Sequence, residues 1–207
     1  MQQTKASKLS FDPRPQMGLI FAEGFYRWLK HFSADKERLG RAMAHIFNLE
    51  HFYVSHQGEE ITSIAALTDG RHIPVKLDKG TLTKELGFFR GRLAYKMLGK
   101  FFVEHKYPFD IKGNTGAVEF VVAATAFRGK GTTYALIEHM MGENKREDYI
   151  LEVANDNTAA IKLYEKLGFH EFKRISAPSG SGFEHYIYMH CAPDENVRTE
   201  FYNKPLG

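Results

Sequence analysis

The run from Val118 to Met141, VEFVVAATAFRGKGTTYALIEHMM, constrains the fold more than any other stretch of the chain. Its apolar, β-branched opening reads as a buried strand. A glycine-rich turn follows, Arg128-Gly129-Lys130-Gly131-Thr132-Thr133, and Ala135, Leu136, Ile137, Met140 and Met141 then carry a helix. A turn whose backbone amides point outward at a helix N-terminus is a ready site for a diphosphate. A second block lies beyond it, Leu151 to Phe169, LEVANDNTAAIKLYEKLGF, with a strand at 149–153 and a helix from Asn157 to Leu167.

The rest of the chain falls into order around these blocks. Thr4 to Phe11 reads as an opening strand. Leu19, Ile20, Phe21, Phe25, Trp28, Leu29 and Phe32 recur at helical spacing, which predicts a first helix over 15–31. Ser33 can cap the next, with Asp35 and Glu37 in its first turn and Leu39, Met43, Ile46 and Phe47 on one side. Phe52 to Ser55 and Ile61 to Leu67 flank Gln57-Gly58-Glu59-Glu60, a hairpin. In 71–112, Leu82, Leu86, Phe89, Leu93, Met97 and Phe101 form a helical stripe with Lys84, Arg90, Arg92, Lys96 and Lys100 around it, loosened by Gly87, Gly91 and Gly99. Two strands, near 170–175 and 185–191, close the pattern, and a polar tail runs from Pro193. This order predicts an α/β fold with a mixed sheet.

The 207 residues fit one domain, 1–207, long enough to bury a proper core. The single cysteine, Cys191, excludes an intrachain disulfide framework and suits a reducing compartment. MQQTKASKLSF lacks the apolar core of a secretory signal, and no stretch reaches the roughly 18 uncharged apolar residues of a membrane span. The expectation is a cytoplasmic protein with no membrane partner. A formal charge of +3 is too small to argue for nucleic acid by itself. The ten histidines show no metal spacing, and no motif of a covalent nucleophile is present, so no metal is expected.

Both blocks, in this order, resemble the Gcn5-related N-acetyltransferase (GNAT) superfamily. The first matches its acyl-CoA loop at Arg128 and Gly131, with Thr133 where the pattern has Gly or Ala. The second matches at Asn157, Ala160, Leu163-Tyr164 and Leu167-Gly168-Phe169. The resemblance implies a GNAT-like, mostly antiparallel central sheet flanked by helices; 71–112, longer than the family's minimal connection, reads as a helical insertion before the central strand. It implies acetyl-CoA as cosubstrate, its diphosphate on the amides of Arg128, Gly129, Lys130, Gly131, Thr132 and Thr133, and its pantetheine arm along Phe120, Val121, Val122 and Ala123. The Val122 amide is a candidate donor to the thioester oxygen. Tyr164 becomes the group that hydrogen-bonds the departing sulfur. Glu119 becomes the candidate general base for an acceptor amine that is mostly protonated at neutral pH. Asn157 has two readings, a helix cap or a contact to the cofactor arm.

The acceptor is expected to be a primary amine of a small molecule or peptide, in a pocket shaped by Phe25, Tyr26, Trp28, the 71–112 segment and Tyr186 or Tyr188. Two rival functions stand beside this one: a non-catalytic acyl-CoA-binding or sensing domain, and an RNA- or ribosome-associated acetyltransferase. The basic, aromatic helix near 82–105 reads as a lid, a dimer surface or a patch for an acidic partner.

Overall fold

The computed structural model describes residues 1–104 and 106–192, so the tail from Pro193 onward lies outside the described residues. The strands are β1 (Gln2–Lys5), β2 (Phe52–Gln57), β3 (Glu60–Thr68), β4 (Thr115–Ala123), β5 (Asp148–Ala154), β6 (His170–Ser176) and β7 (His185–Cys191). The helices are α1 (Arg14–Gly24), α2 (Tyr26–Leu29), α3 (Lys36–Met43), α4 (Lys79–Leu86), α5 (Phe88–Leu98), α6 (Thr132–Glu143) and α7 (Thr158–Lys166). The strands form one sheet in the order β1-β2-β3-β4-β5-β7-β6. Among the described residues only β4 and β5 run parallel, and every other neighbouring pair is antiparallel.

Helices cover both faces of this sheet, which is why β3 is apolar almost throughout. Ile64 and Ala66 enter a core with Met17 and Phe21 of α1, Leu39 and Met43 of α3, and Leu82 and Leu86 of α4. Ala65 and Leu67 enter a second core with Leu136, Ile137 and Met140 of α6 and Tyr164 of α7. Each large apolar side chain buried this way contributes about 1.5–3 kcal/mol. On the first face α1 and α3 touch backbone to backbone: a Cβ added to Gly18 would stand 2.3 Å from the Gly40 carbonyl oxygen.

The expected hairpin, the central strand, the helices after each block and the closing strand pair are all present. Four local readings change. The opening strand is Gln2–Lys5, followed by a 3-10 turn at Ala6–Lys8. The first helix is two, because the chain leaves helical geometry at Phe25 (φ −99°, ψ 18°). Gly87, at φ +87°, likewise divides the insertion helix into α4 and α5. That break resets the helical phase, so Leu82 and Leu86 are buried while Phe89, Leu93 and Phe101 of the same predicted stripe are exposed. The buried face of α5 is Gly91, Ala94 and Leu98 instead.

Candidate active site

The parallel pairing of β4 with β5 ends at Ala117 opposite Ile150. Beyond it β4 stays on β3 as far as Ala123 and β5 stays on β7 as far as Ala154, so the two strands part. From Val118 onward β4 therefore has an edge toward β5 without a strand partner among the described residues, the kind of edge to which an extended ligand can add as a strand.

A β-bulge lies in the same stretch of β4, in its pairing with β3. Between Ile64 opposite Val122 and Ala66 opposite Glu119, β3 advances two residues while β4 advances three. Phe120 takes φ +51°, the only positive φ of a non-glycine residue among those described. Such a conformation costs on the order of 1–3 kcal/mol, and here the ring is held by Phe21, Phe25, Phe52 and Phe102, with centroids 5.4–6.2 Å away. Strict alternation would send Glu119 and Phe120 to opposite faces. The bulge lets both line one cleft of about 60 Å³, with Gly70 to Pro74, Phe101, Phe102 and Tyr107. Val121 packs on the opposite core, and Val122 is buried against α1, where a Cβ on Gly24 would come within 2.4 Å of it.

Glu119 is half-buried. Its Oε2 accepts from the Thr68 hydroxyl at 2.9 Å and its Oε1 from the Tyr107 hydroxyl at 3.5 Å. Burial pushes the Tyr107 phenol well up, and the charges of Glu119 and Glu152 push it further. Tyr188, directly across from Glu152 on β7, is raised by burial and by the negative charge of that carboxylate. Glu152 and Tyr107 were not singled out from the sequence. The signal for Glu152 was there, because Leu151 and Val153 both enter the α6–α7 core, which sends the residue between them to the other face.

Tyr164 lies across the sheet from this group. It is 6 % exposed, its ring meets Phe169 edge-on at 6.0 Å, and its hydroxyl has no hydrogen-bond partner among the described residues. Burial alone raises its pKa above the ordinary tyrosine value. Tyr164 and Glu119 thus belong to opposite faces, with the parting of β4 and β5 between them.

The glycine turn has the geometry of an anion cradle. Gly129 and Gly131 take φ +73° and +76°. Ala135 is the first amide of α6 bonded to a carbonyl of the turn, that of Gly131. The amides of Gly131, Thr132, Thr133 and Tyr134 therefore donate to no backbone acceptor among the described residues. Arg128 and Lys130 are exposed, Thr133 is half-buried, and Thr132 is buried with its hydroxyl unpartnered. Thr125 ties the start of this turn to α1 through Glu23, at 2.8 Å. Asn157 caps α7: its Oδ1 accepts from the Ala160 amide at 3.3 Å.

The proposed pocket residues partly converge. Arg27 of α2 pairs with Asp156 of the β5–α7 loop at 2.6 Å, and Trp28 meets Phe183, which meets Tyr186. Tyr26 instead donates to the Ala34 carbonyl beneath Lys36 and is structural. Cys191 is buried in the second core.

The acetyltransferase (GNAT) family model matches residues 27–169. The chain belongs to that family of enzymes. Solved GNAT-type structures share the fold. One of an N-acetyltransferase from Staphylococcus aureus Mu50 aligns with TM-score 0.59 at 16% identity, covering 92% of this chain and 100% of the other. One of a GCN5-related N-acetyltransferase from Kribbella flavida aligns with TM-score 0.53 at 15% identity, covering 92% and 96%. In sequence, the chain is 38% identical over 68 residues to a [ribosomal protein bS18]-alanine N-acetyltransferase of Salmonella typhimurium. That match takes in 30% of this chain and 46% of the relative, so the chain spans about half the length of the curated relative. For this GNAT chain the expected family and fold both hold.

Proposed function

We propose that this GNAT protein transfers an acetyl group from acetyl-CoA to a primary amine, by direct attack in a ternary complex. The observation that carries the reading is the juxtaposition on β4: an unpaired edge at 118–123 running into a turn that offers four unsatisfied amides. A nucleotide thioester fits both halves, its diphosphate on the turn and its arm along the edge. The amides of Gly129, Gly131, Thr132 and Thr133 hold the phosphates, while Arg128 and Lys130, whose own amides donate to the carbonyls of Thr125 and Phe127, contribute side-chain charge; Val121, Val122 and Ala123 pair with the arm. Asn157 orders α7 rather than the cofactor.

The acceptor approaches from the Glu119 side. An alkylammonium, with a pKa near 10, must first lose a proton. Glu119 takes it, directly or through water, with Glu152 as the second carboxylate of that face. The neutral nitrogen then attacks the thioester carbonyl carbon, the C–N bond forms and the C–S bond breaks, the sulfur leaves with the electron pair, and the surplus proton on the new amide nitrogen passes through water to the thiolate. Tyr164 donates a hydrogen bond to it. A phenol made less acidic by burial holds its own proton, so its contribution is the hydrogen bond more than proton transfer.

The acceptor is a small molecule or the amine of a peptide; the Salmonella relative, by its name, acts on a ribosomal protein. A cytoplasmic site of action is consistent with the lone buried cysteine. Among the described residues no helix is long and apolar enough to cross a membrane. The test is calorimetric titration with acetyl-CoA followed by thiol release across a panel of amines. Uptake of acetyl-CoA with turnover on at least one amine is expected. Folded protein that takes up no acetyl-CoA would refute the reading, and tight uptake with no turnover on any amine would favour a sensor.

A further inference from the structure

The break at Gly87 leaves an unusual surface. Five of the most exposed large apolar or aromatic side chains among the described residues lie within 88–101: Phe88, Phe89, Leu93, Tyr95 and Phe101. Phe88 is 61 % exposed and Phe89 83 %. The same stretch carries Arg90, Arg92, Lys96 and Lys100 and no acidic residue, a local charge of +4. None of these four forms an ion pair with a described residue. Arg92 lies over the Phe88 ring at 5.1 Å.

The helix that displays them is firmly seated. Gly91 packs so closely on α4 that an added Cβ would fall 2.4 Å from the Thr83 Cα. With Gly91, Ala94 and Leu98 facing inward, the helical repeat sends Phe89, Leu93 and Lys96 outward together, and Lys100, in the π-helical turn Gly99–Val103 that follows, is exposed as well.

We infer that this face of α5 is a docking surface for an anionic lipid bilayer. Charge argues first: a second copy would bring four cations against four. Shape argues next. Phe88 and Phe89, edge to face at 5.3 Å, project with Leu93 from a convex helix, whereas a folded protein partner would be anchored through fitted pockets. A bilayer needs none, since its headgroup region accepts projecting phenylalanines while lysine and arginine reach phosphates at any spacing. Surface association of this kind needs no spanning helix, and among the described residues none is long and apolar enough to cross a membrane. It is independent of the acetyl-transfer reading.

The experiment is co-sedimentation of the full chain with phosphatidylcholine vesicles, with and without phosphatidylserine. Partition is expected onto the anionic vesicles alone, weakening as salt rises. Lys96→Ala with Lys100→Ala should cut it by roughly 25-fold, at about fivefold per cation. Phe89→Ser with Leu93→Ser should lower it on the order of tenfold; all four positions are exposed, and far-UV circular dichroism checks that each variant is folded. Equal binding to neutral vesicles, partition that neither pair changes, or no partition at all would overturn the inference. So would self-association that the Phe89/Leu93 variant abolishes, or capture by a single-stranded RNA oligonucleotide without capture by vesicles.

Discussion

Replacing Tyr164 by phenylalanine separates catalysis from packing, because the structure assigns the ring and the hydroxyl different surroundings. The ring is buried among α6, α7 and Phe169, and phenylalanine keeps it, so no cavity opens. The hydroxyl forms no hydrogen bond with the described residues and is not among the fully enclosed unpartnered atoms. Its loss should therefore leave stability within about 0.5 kcal/mol of the parent. A hydrogen bond to charge developing on sulfur is worth about 1.5–3 kcal/mol, which is roughly a 10- to 160-fold fall in kcat. Since that bond strengthens only as the C–S bond breaks, acetyl-CoA affinity should change little. Thiol release at saturating amine gives kcat, calorimetry gives the Kd for acetyl-CoA, and urea unfolding gives stability. A variant with kcat within twofold of the parent would remove Tyr164 from the mechanism. One destabilised by more than about 1 kcal/mol would show instead that the hydroxyl has a structural partner.

Three further outcomes test the supporting structure. Gly18→Ala should destabilise the chain by about 1–2 kcal/mol in urea unfolding, because overpacking against the Gly40 and Ala44 backbone exceeds the helix-propensity gain; an unchanged midpoint would contradict the α1–α3 contact. Asn157→Ala should cost about 1 kcal/mol through the lost cap with the acetyl-CoA Kd unchanged, whereas a weakened Kd at unaltered stability would restore the cofactor-arm reading. Asp69 is pushed up by burial, but the amides of His72 and Arg71 and the His72 ring outweigh this and hold it at about 2, below its ordinary 3.8. A carboxyl depressed in the folded state stabilises above its unfolded pKa and loses that contribution as pH falls through the folded one. The stability difference between the parent and Asp69→Asn should thus hold at pH 5 and shrink from about pH 4 to pH 2, and a difference that persists at pH 2 would contradict the assignment.

What the sequence made legible was whatever rests on local period and turn chemistry. The glycine turn, the α7 segment after Asn157 and the β2–β3 hairpin each carry their own signal within a dozen residues. The stripe from Leu82 to Phe101 failed for a physical reason. Periodicity counts through a glycine, while Gly87 at φ +87° ends one helix and begins another out of phase. Half of the stripe is core, and the other half is the exposed basic face.

The site itself was legible on one side only. The cofactor side is written in backbone terms, glycines at set positions, and these survive in sequence as residue types. The acceptor side depends on a bulge, and a bulge has no composition of its own. Phe120 at φ +51° is a phenylalanine where glycine or asparagine would be the local preference, so nothing in FVVA announces it. Only the register shift between Ile64 and Ala66 reveals that Glu119 and Phe120 share a cleft. The ring cluster around Phe120 holds that conformation, and the cluster is assembled from α1, β2 and the insertion. The position of the candidate base is therefore set by contacts far away in the chain, which is why the sequence could name Glu119 and Tyr188 but not Glu152 and Tyr107 beside them.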